Sequence, residues 1–135
     1  MVVSLYASIL ALIYICLSAL VIKGRRQKKT ALGSGGSKML EQRIRAHANF
    51  AEYTPIFLIL LFLAESQNTS LYIIHGVATI FTIGRILHVY ALVLSEKYEG
   101  DKLLKSPTYR INAMVCTFTA IIICIKLNMI AFFAN

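Results

Sequence analysis

Hydrophobic residues in this chain gather into four long stretches separated by polar connections. The stretches cover approximately residues 2–22, 46–65, 70–94 and 110–133. At a rise of about 1.5 Å per residue, each can cross a hydrocarbon layer of about 30 Å. A chain inside lipid must satisfy its own backbone hydrogen bonds, which favours α-helices. The pattern therefore predicts an all-α membrane protein that folds as a four-transmembrane-helix bundle.

The second stretch gives the weakest signal of the four. Its unbroken apolar part is short, and Pro55 stands inside it. Proline removes a backbone donor and clashes with the preceding turn, so a kink is expected there. Polar residues also enter this stretch from its N-terminal side, and they need an explanation of their own.

Composition adds limits to this picture. The chain has 135 residues, of which 58% are hydrophobic, and this favours one transmembrane domain over residues 1–135. Its formal charge of +8 lies mostly between apolar runs, which is typical of membrane orientation signals and argues against a nucleic-acid partner. Three cysteines lie within apolar runs without metal-ligand spacing, so no metal site is predicted: Cys16, Cys116 and Cys124.

The connections differ in charge, and this difference predicts the orientation. The first connection carries only basic charges: Lys23, Arg25, Arg26, Lys28, Lys29 and Lys38. The last connection mixes both signs: Glu96, Lys97, Glu99, Asp101, Lys102 and Lys105. The middle connection has no basic residue. Because four spans place the first and third connections on one side, the positive-inside rule makes that side cytoplasmic and puts both termini opposite.

Charged residues inside the second and third stretches suggest a buried polar cluster. Arg45, Asn49 and Glu52 share one helix face at i, i+4 and i+7. Glu52 would lie about 10 Å inward from the cytoplasmic end, and Arg85 about 14 Å inward. Since a central arginine costs about 2.5–3.5 kcal/mol on insertion scales, Glu52 and Arg85 are expected to face each other. His88, one turn from Arg85, would share that face, and a structural salt bridge explains the pair equally well.

Arg110 opens the fourth stretch and by itself is typical of an interfacial anchor. Together with Arg45 and Arg85 it outnumbers Glu52, which leaves an excess of about two positive charges near one cavity on the cytoplasmic side. Such an excess favours an anionic ligand. Tyrosine hydroxyls are further candidate donors, or else residues of the membrane-surface belt: Tyr53, Tyr90 and Tyr109.

The run RAHANFAEYTPIF, residues 45–57, resembles the second-helix motif of the MAPEG superfamily, membrane-associated proteins in eicosanoid and glutathione metabolism. The matching positions are Arg45, Asn49, Glu52, Tyr53, Pro55 and Phe57. The run GRILHVYA is similar to the Arg-x-x-His segment of the third helix in that family. Size, four spans and a basic first connection also agree, so the resemblance covers essentially the whole chain.

This resemblance implies a homotrimer in the lipid bilayer, with glutathione bound between neighbouring subunits in the cytoplasmic half. The positions that match tripeptide-binding or third-helix polar residues are Arg45, Asn49, Glu52, Tyr53, Arg85 and His88. Arg25 or Arg26 resembles the arginine lent by the adjacent subunit, and the choice between them stays open. Arg110 resembles the arginine that family enzymes place beside the thiol, which makes it the candidate catalytic residue.

Two departures from the family pattern qualify the expected activity. Leu92 stands where several relatives carry a tyrosine, and the segment EKYEGDKLLKS lengthens the last connection. Both argue against a leukotriene or prostaglandin synthase and favour a less specialised, bacterial type of relative in an inner membrane.

The expected activity is that of a glutathione transferase, with possible peroxidase activity, acting in detoxification. Glutathione would be the co-substrate, and its activated thiol would attack a lipophilic electrophile or hydroperoxide. A non-enzymatic glutathione- or lipid-binding scaffold on the same fold is the alternative. A small cation exporter is less favoured, because arginines outnumber Glu52.

Overall fold

The computed structural model describes residues 1–99, 102–104 and 106–134. Two charges of the last connection, Asp101 and Lys105, lie outside the described residues. The helices are α1 (Val2–Lys28), α2 (Lys38–Ser66), α3 (Leu71–Tyr90) and α4 (Thr108–Ala134). A π-helical turn, Ala91–Ser95, continues α3, and two short antiparallel strands follow it: β1 (Tyr98–Glu99) and β2 (Lys102–Leu103). Within the described residues, four helices are long and apolar enough to span a membrane, so the predicted all-α four-helix architecture is confirmed.

The second helix is longer than its apolar pattern predicts. It begins at Lys38 rather than near residue 46, because Ser37 caps it by accepting a hydrogen bond from the Leu40 backbone N–H at 3.4 Å. The helix then continues through Pro55. Its N-terminal extension carries polar residues beyond the apolar run, and these reach the candidate site described below.

At the end of the bundle opposite the first connection, the helices are joined by direct hydrogen bonds. The Glu65 carboxylate accepts from the backbone N–H groups of Val2 at 2.5 Å and Val3 at 2.9 Å. A carboxylate satisfies the free donors of a helix N-terminus and complements its dipole. The Gln67 side-chain amide donates to Asn128 Oδ1 at 2.7 Å. These contacts tie the C-terminal end of α2 to α1 and α4.

The third and fourth helices approach each other closely at Gly84. A Cβ atom at this position would lie 3.0 Å from the Ala113 carbonyl oxygen and 3.0 Å from Cys116 Cβ. On the other side of α3, Phe81 stacks on Phe57 of α2 with ring centroids 3.7 Å apart. Glycine therefore allows α4 to pack against the α3 backbone next to Arg85, the most buried charge of the bundle.

Large apolar side chains are exposed on all four helices, for example Leu12, Ile59, Ile83 and Ile122. Such surfaces are unfavourable in water and match the acyl chains of a bilayer. The outer surface of the bundle is therefore suited to lipid, as the hydrophobic pattern predicts.

Candidate functional site

A cavity of about 590 Å³ opens between α2, the end of α3 and α4. It lies at the end of the bundle that carries the first and last connections, which we call the basic end. Polar side chains from three helices line one wall: Arg45, Asn49, His88 and Arg110. Apolar side chains of α4 line the other: Ile111, Met114, Val115 and Phe118. The cavity is therefore amphipathic, with basic and apolar side chains in one lining, and Glu41, which also lines it, forms an ion pair with Lys38 at 3.1 Å.

Arg45 and Asn49 reach the cavity because they lie one turn apart on α2. Arg45 is exposed. Its side chain makes no hydrogen bond or ion pair with any residue that the structure describes. Arg45 therefore presents a guanidinium whose five N–H donors are available to a ligand.

Arg85 lies beneath the cavity and is only 1% exposed. Its Nη1 donates to Asn49 Oδ1 at 2.8 Å, and its Nη2 donates to Thr117 Oγ1. The guanidinium also lies over the ring of Tyr53, 5.3 Å from its centroid. Because Arg85 occupies the oxygen of Asn49, the amide nitrogen of Asn49 stays available toward the cavity. Arg85 thus positions a residue of the cavity wall.

The predicted pairing of Glu52 with Arg85 is wrong. Arg85 bonds to neutral partners, whereas Glu52 is exposed on the outside of α2. Glu52 and Arg85 are expected at similar depths in the membrane, but depth does not determine the direction in which a side chain points around its helix axis. Glu52 follows Asn49 by three residues, which turns it about 60° around the helix axis. Asn49 occupies the position facing Arg85, and Glu52 makes no ion pair with any residue that the structure describes.

His88 lies one turn after Arg85, is 4% exposed and lines the cavity. The predicted shared face of these two residues is therefore correct. Leu92 follows one turn later and also lines the cavity. The third helix thus contributes one imidazole and one apolar side chain to the site.

Arg110 is held by the last connection. Its Nη1 lies 3.3 Å from Glu96 Oε2 and 3.4 Å from the Tyr98 hydroxyl oxygen. The Tyr98 hydroxyl donates to Glu96 Oε2 at 2.5 Å. The Gln42 side-chain amide of α2 donates to the Glu96 backbone carbonyl at 3.0 Å. Glu96 therefore joins α2 and α4 through the connection and orients Arg110 at the cavity wall.

Glu96 and Tyr98 are site residues that no sequence signal singles out. In the sequence the last connection shows only mixed charges, and such charged segments are usually solvated. In the structure the Glu96 side chain is only 3% exposed, and its Oε1 has no partner among the described residues. Burial raises the pKa of the Tyr98 hydroxyl above its usual value, and the hydrogen bond to Glu96 raises it further. Tyr98 therefore remains a donor to Glu96 near neutral pH.

The remaining predicted site residues lie elsewhere in the chain. Tyr53 packs edge-on against Phe118, with ring centroids 5.7 Å apart, behind the apolar wall. Arg25 and Arg26 lie at the C-terminal end of α1 and line a separate cleft. The single chain therefore brings Arg45, Asn49, His88 and Arg110 together, and does not bring Glu52, Arg25 or Arg26 to the same cavity. The roles predicted for these residues remain predictions.

Comparison with known proteins covers nearly the whole bundle. The MAPEG family profile matches residues 3–127 of this chain. Inner membrane protein YecN of Escherichia coli strain K12 is 34% identical over 90 residues, which are 67% of this chain and 69% of that protein. The protein of the same name from Escherichia coli O6:H1 gives the same values. The four-helix architecture and these matches show that the chain belongs to the MAPEG family of membrane proteins.

Proposed function

We propose that this protein is a membrane-bound glutathione transferase, with peroxidase activity as a possible second reaction of the same site. It binds glutathione in the cavity at the basic end and activates the thiol for attack on lipophilic electrophiles or hydroperoxides. The observation that carries the proposal is the convergence of Arg45, Asn49, His88 and Arg110 on a cavity with an apolar wall. Membership of the MAPEG family supports glutathione as the co-substrate.

The charges of the cavity suit this tripeptide. Glutathione carries two carboxylates and one ammonium near neutral pH, and arginine binds carboxylates through paired N–H donors. Arg45 is the candidate partner of one carboxylate, since it is exposed at the cavity mouth. The free amide nitrogen of Asn49 can donate to a peptide carbonyl of the ligand.

A homotrimer would explain the polar residue that one subunit leaves outside. Glu52 is exposed on a membrane-spanning helix, where contact of a carboxylate with lipid is unfavourable. In the proposed trimer, Glu52 and Tyr53 face a neighbouring subunit, whose Arg25 or Arg26 completes the glutathione site. Burial of the carboxylate beside an arginine removes the energetic penalty of exposing it to acyl chains.

The chemistry requires a thiolate. A free thiol with a pKa near 8.5 is mostly protonated at neutral pH, and the thiolate is the nucleophile. Lowering that pKa by about two units requires about 2.7 kcal/mol of preferential stabilisation. A charge-assisted hydrogen bond supplies about 1.5–3 kcal/mol. Arg110 is the proposed donor, because Glu96 and Tyr98 engage its Nη1 and leave its other N–H groups for the sulfur.

The apolar wall of the cavity supports a lipophilic second substrate. Ile111, Val115 and Phe118 are about half exposed on α4, so the wall continues onto the lipid-facing surface. In conjugation, the sulfur forms a bond to the electrophilic carbon while the leaving group departs with its electron pair.

We place the basic end on the cytoplasmic side of an inner membrane, with both termini opposite. Its basic first connection and the inner membrane relative support this orientation and location.

A glutathione titration of detergent-purified protein tests the proposal, with ultraviolet absorbance of the thiolate and conjugation to a model electrophile as readouts. Arg45→Gln should weaken glutathione binding about tenfold, since one charge-assisted hydrogen bond is lost. Lys126→Gln, on exposed α4 surface away from the cavity, is the matched control. Absence of saturable glutathione binding overturns the proposal, and full conjugation activity in Arg110→Ala removes Arg110 from the mechanism.

The alternative function is glutathione binding without turnover. Two observations favour it: the Glu96 carboxylate already neutralises Arg110, and Leu92 gives the third helix no hydroxyl donor in the cavity. Saturable glutathione binding without thiolate absorbance or conjugation would select this alternative.

A further inference from the structure

A second basic cleft, separate from the cavity, lies at the C-terminal end of α1. Its volume is about 340 Å³. One wall is formed by four residues at i, i+3, i+4 and i+7, which share one helix face: Ile22, Arg25, Arg26 and Lys29. Thr30 and Ala31 of the first connection form the other wall. We call this site the α1 cleft.

The connection is folded back over the helix end by specific hydrogen bonds. Arg25 Nη1 donates to the Ala31 carbonyl oxygen at 3.2 Å. The backbone N–H groups of Lys29 and Thr30 donate to the carbonyls of Arg26 at 3.2 Å and Arg25 at 3.1 Å. Unsatisfied carbonyls at a helix C-terminus would oppose an anion. Because the connection satisfies two of them, basic side chains dominate the charge of the α1 cleft.

The α1 cleft lacks acidic neighbours along its own connection. Residues 23–38 contain six basic residues and no acidic one. The first acidic residue after them, Glu41, forms an ion pair with Lys38 at 3.1 Å. The Arg25 Nε is buried and has no partner among the described residues. The cleft therefore has a strong positive potential that favours an anionic group.

The position of the α1 cleft connects this charge with the membrane surface. Ile22, at the cleft, is 52% exposed and ends the apolar run of α1. Ile15, two turns earlier on the same face, is 62% exposed. Leu32, within the basic connection, is 83% exposed. An exposed leucine among basic residues is typical of a segment that lies in the membrane interface. The cleft is thus basic at the headgroup level and continues into an apolar strip.

We propose that the α1 cleft binds the phosphate headgroup of an anionic phospholipid, with one acyl chain along Ile22 and Ile15. Lys29 donates to the phosphate oxygens, together with whichever of Arg25 and Arg26 does not reach the glutathione site of the neighbouring subunit. A free phosphate ion would use the basic wall alone, whereas a lipid uses the apolar strip as well. This inference does not depend on glutathione binding.

Native mass spectrometry of the detergent-purified protein, titrated separately with phosphatidylglycerol and phosphatidylcholine, tests the proposal. The wild-type protein should retain phosphatidylglycerol preferentially. Lys29→Gln should lower the apparent affinity for phosphatidylglycerol about tenfold, because it removes a direct charge-assisted hydrogen bond to the phosphate. Lys29→Arg should keep the affinity, which separates loss of charge from loss of folding.

Lys23→Gln is the matched control, because it removes one charge from the same helix but does not line the cleft. It should lower the affinity for phosphatidylglycerol less than twofold. Ile22→Asn should weaken phosphatidylglycerol binding and leave competition by inorganic phosphate unchanged. Glutathione titration of Lys29→Gln should match that of the wild type, so failure of the lipid site and failure of the proposed enzyme site give different results.

Three results would overturn the proposal. Equal affinity for the two lipids would exclude selection of an anionic headgroup. Equal losses of affinity for phosphatidylglycerol in Lys23→Gln and Lys29→Gln would assign the effect to the total charge of the connection and not to the cleft. The third result would be inorganic phosphate that binds the wild type and Ile22→Asn equally well and that phosphatidylglycerol does not displace. The occupant of the cleft would then be a free anion.

Discussion

The two ends of the bundle use polar residues in opposite ways. At the end opposite the first connection, the polar groups match each other: Glu65 accepts from Val2 and Val3, and Gln67 donates to Asn128. At the basic end, Arg45 and Arg110 face a cavity, and the described residues supply one buried carboxylate beside them, that of Glu96. Internal matching stabilises the fold, whereas unmatched donors are available to a ligand.

Polar residues in membrane helices therefore have two distinct explanations. A donor with an acceptor at hydrogen-bond distance needs no further role, because the pair removes the penalty of burying either group. A surplus of donors around a cavity has a penalty that only a ligand, water or another subunit can remove. Changes at the two ends should therefore affect different properties, and four substitutions test this.

The largest effect is expected for Gly84→Val, which should lower both the stability of the bundle and its affinity for glutathione. The new side chain would collide with the Ala113 carbonyl and Cys116 and push α3 away from α4. Overpacking of this kind costs about 1–3 kcal/mol, and it would also separate His88 from Arg110 across the cavity. Thermal unfolding in detergent and glutathione titration should both change.

The matched control for this change is Gly76→Val in the same helix, where an added Cβ meets no atom within 4 Å. It should unfold near the wild-type temperature and bind glutathione normally. An equal loss of stability in both variants would show that glycine itself, and not the close approach of the helices, matters at Gly84.

Glu65→Gln should change stability without changing the cavity. The substitution removes the charge that complements the N-terminus of α1 and weakens two hydrogen bonds to its backbone. A loss of about 1 kcal/mol in the free energy of unfolding is expected. Glutathione affinity should stay the same, and a parallel loss of affinity would mean that the two ends are coupled.

Glu96→Gln should change the cavity more than the stability. Glutamine keeps an acceptor for Tyr98 and Arg110 but removes the negative charge beside Arg110. Since the charge competes with an anionic ligand, glutathione should bind about fivefold more tightly, equivalent to about 1 kcal/mol for one partly exposed pair. Weaker binding would instead show that the carboxylate is needed mainly to orient Arg110.

Tyr98→Phe should have the smallest effect, a change in thermal stability that is confined to alkaline pH. Burial, with the hydrogen bond to Glu96, raises the pKa of its hydroxyl above the usual value of 10.0. The folded state therefore favours the protonated hydroxyl, and this contribution to stability is present below pH 10 and decreases as the pH rises above it. Thermal unfolding should show a decline above pH 10 that is smaller in Tyr98→Phe, and identical declines would exclude Tyr98 as its source.

Much of the fold could be predicted from the chain alone, because spanning helices require long apolar stretches and this requirement is visible residue by residue. The third span, predicted over 70–94, matches α3 with its π-helical turn, Leu71–Ser95. Hydrophobicity does not predict the N-terminal extension of α2, because the segment from Lys38 is polar but helical. Ser37, which caps the helix, is the sequence signal that marks its start.

The linear pattern of residues is enough to predict four helices long and apolar enough to cross a membrane, and to place Arg45, Asn49, His88 and Arg110 near one end of them. Helical periodicity and apolar length are local properties, so a single chain displays them. The folded chain adds what no local pattern contains: Arg85 bonds to Asn49 and Thr117, Glu52 turns outward, and Glu96 holds Arg110. These outcomes depend on the rotation of each helix and on the path of the last connection. Both are set by packing between segments far apart in the chain, such as the approach of α4 at Gly84.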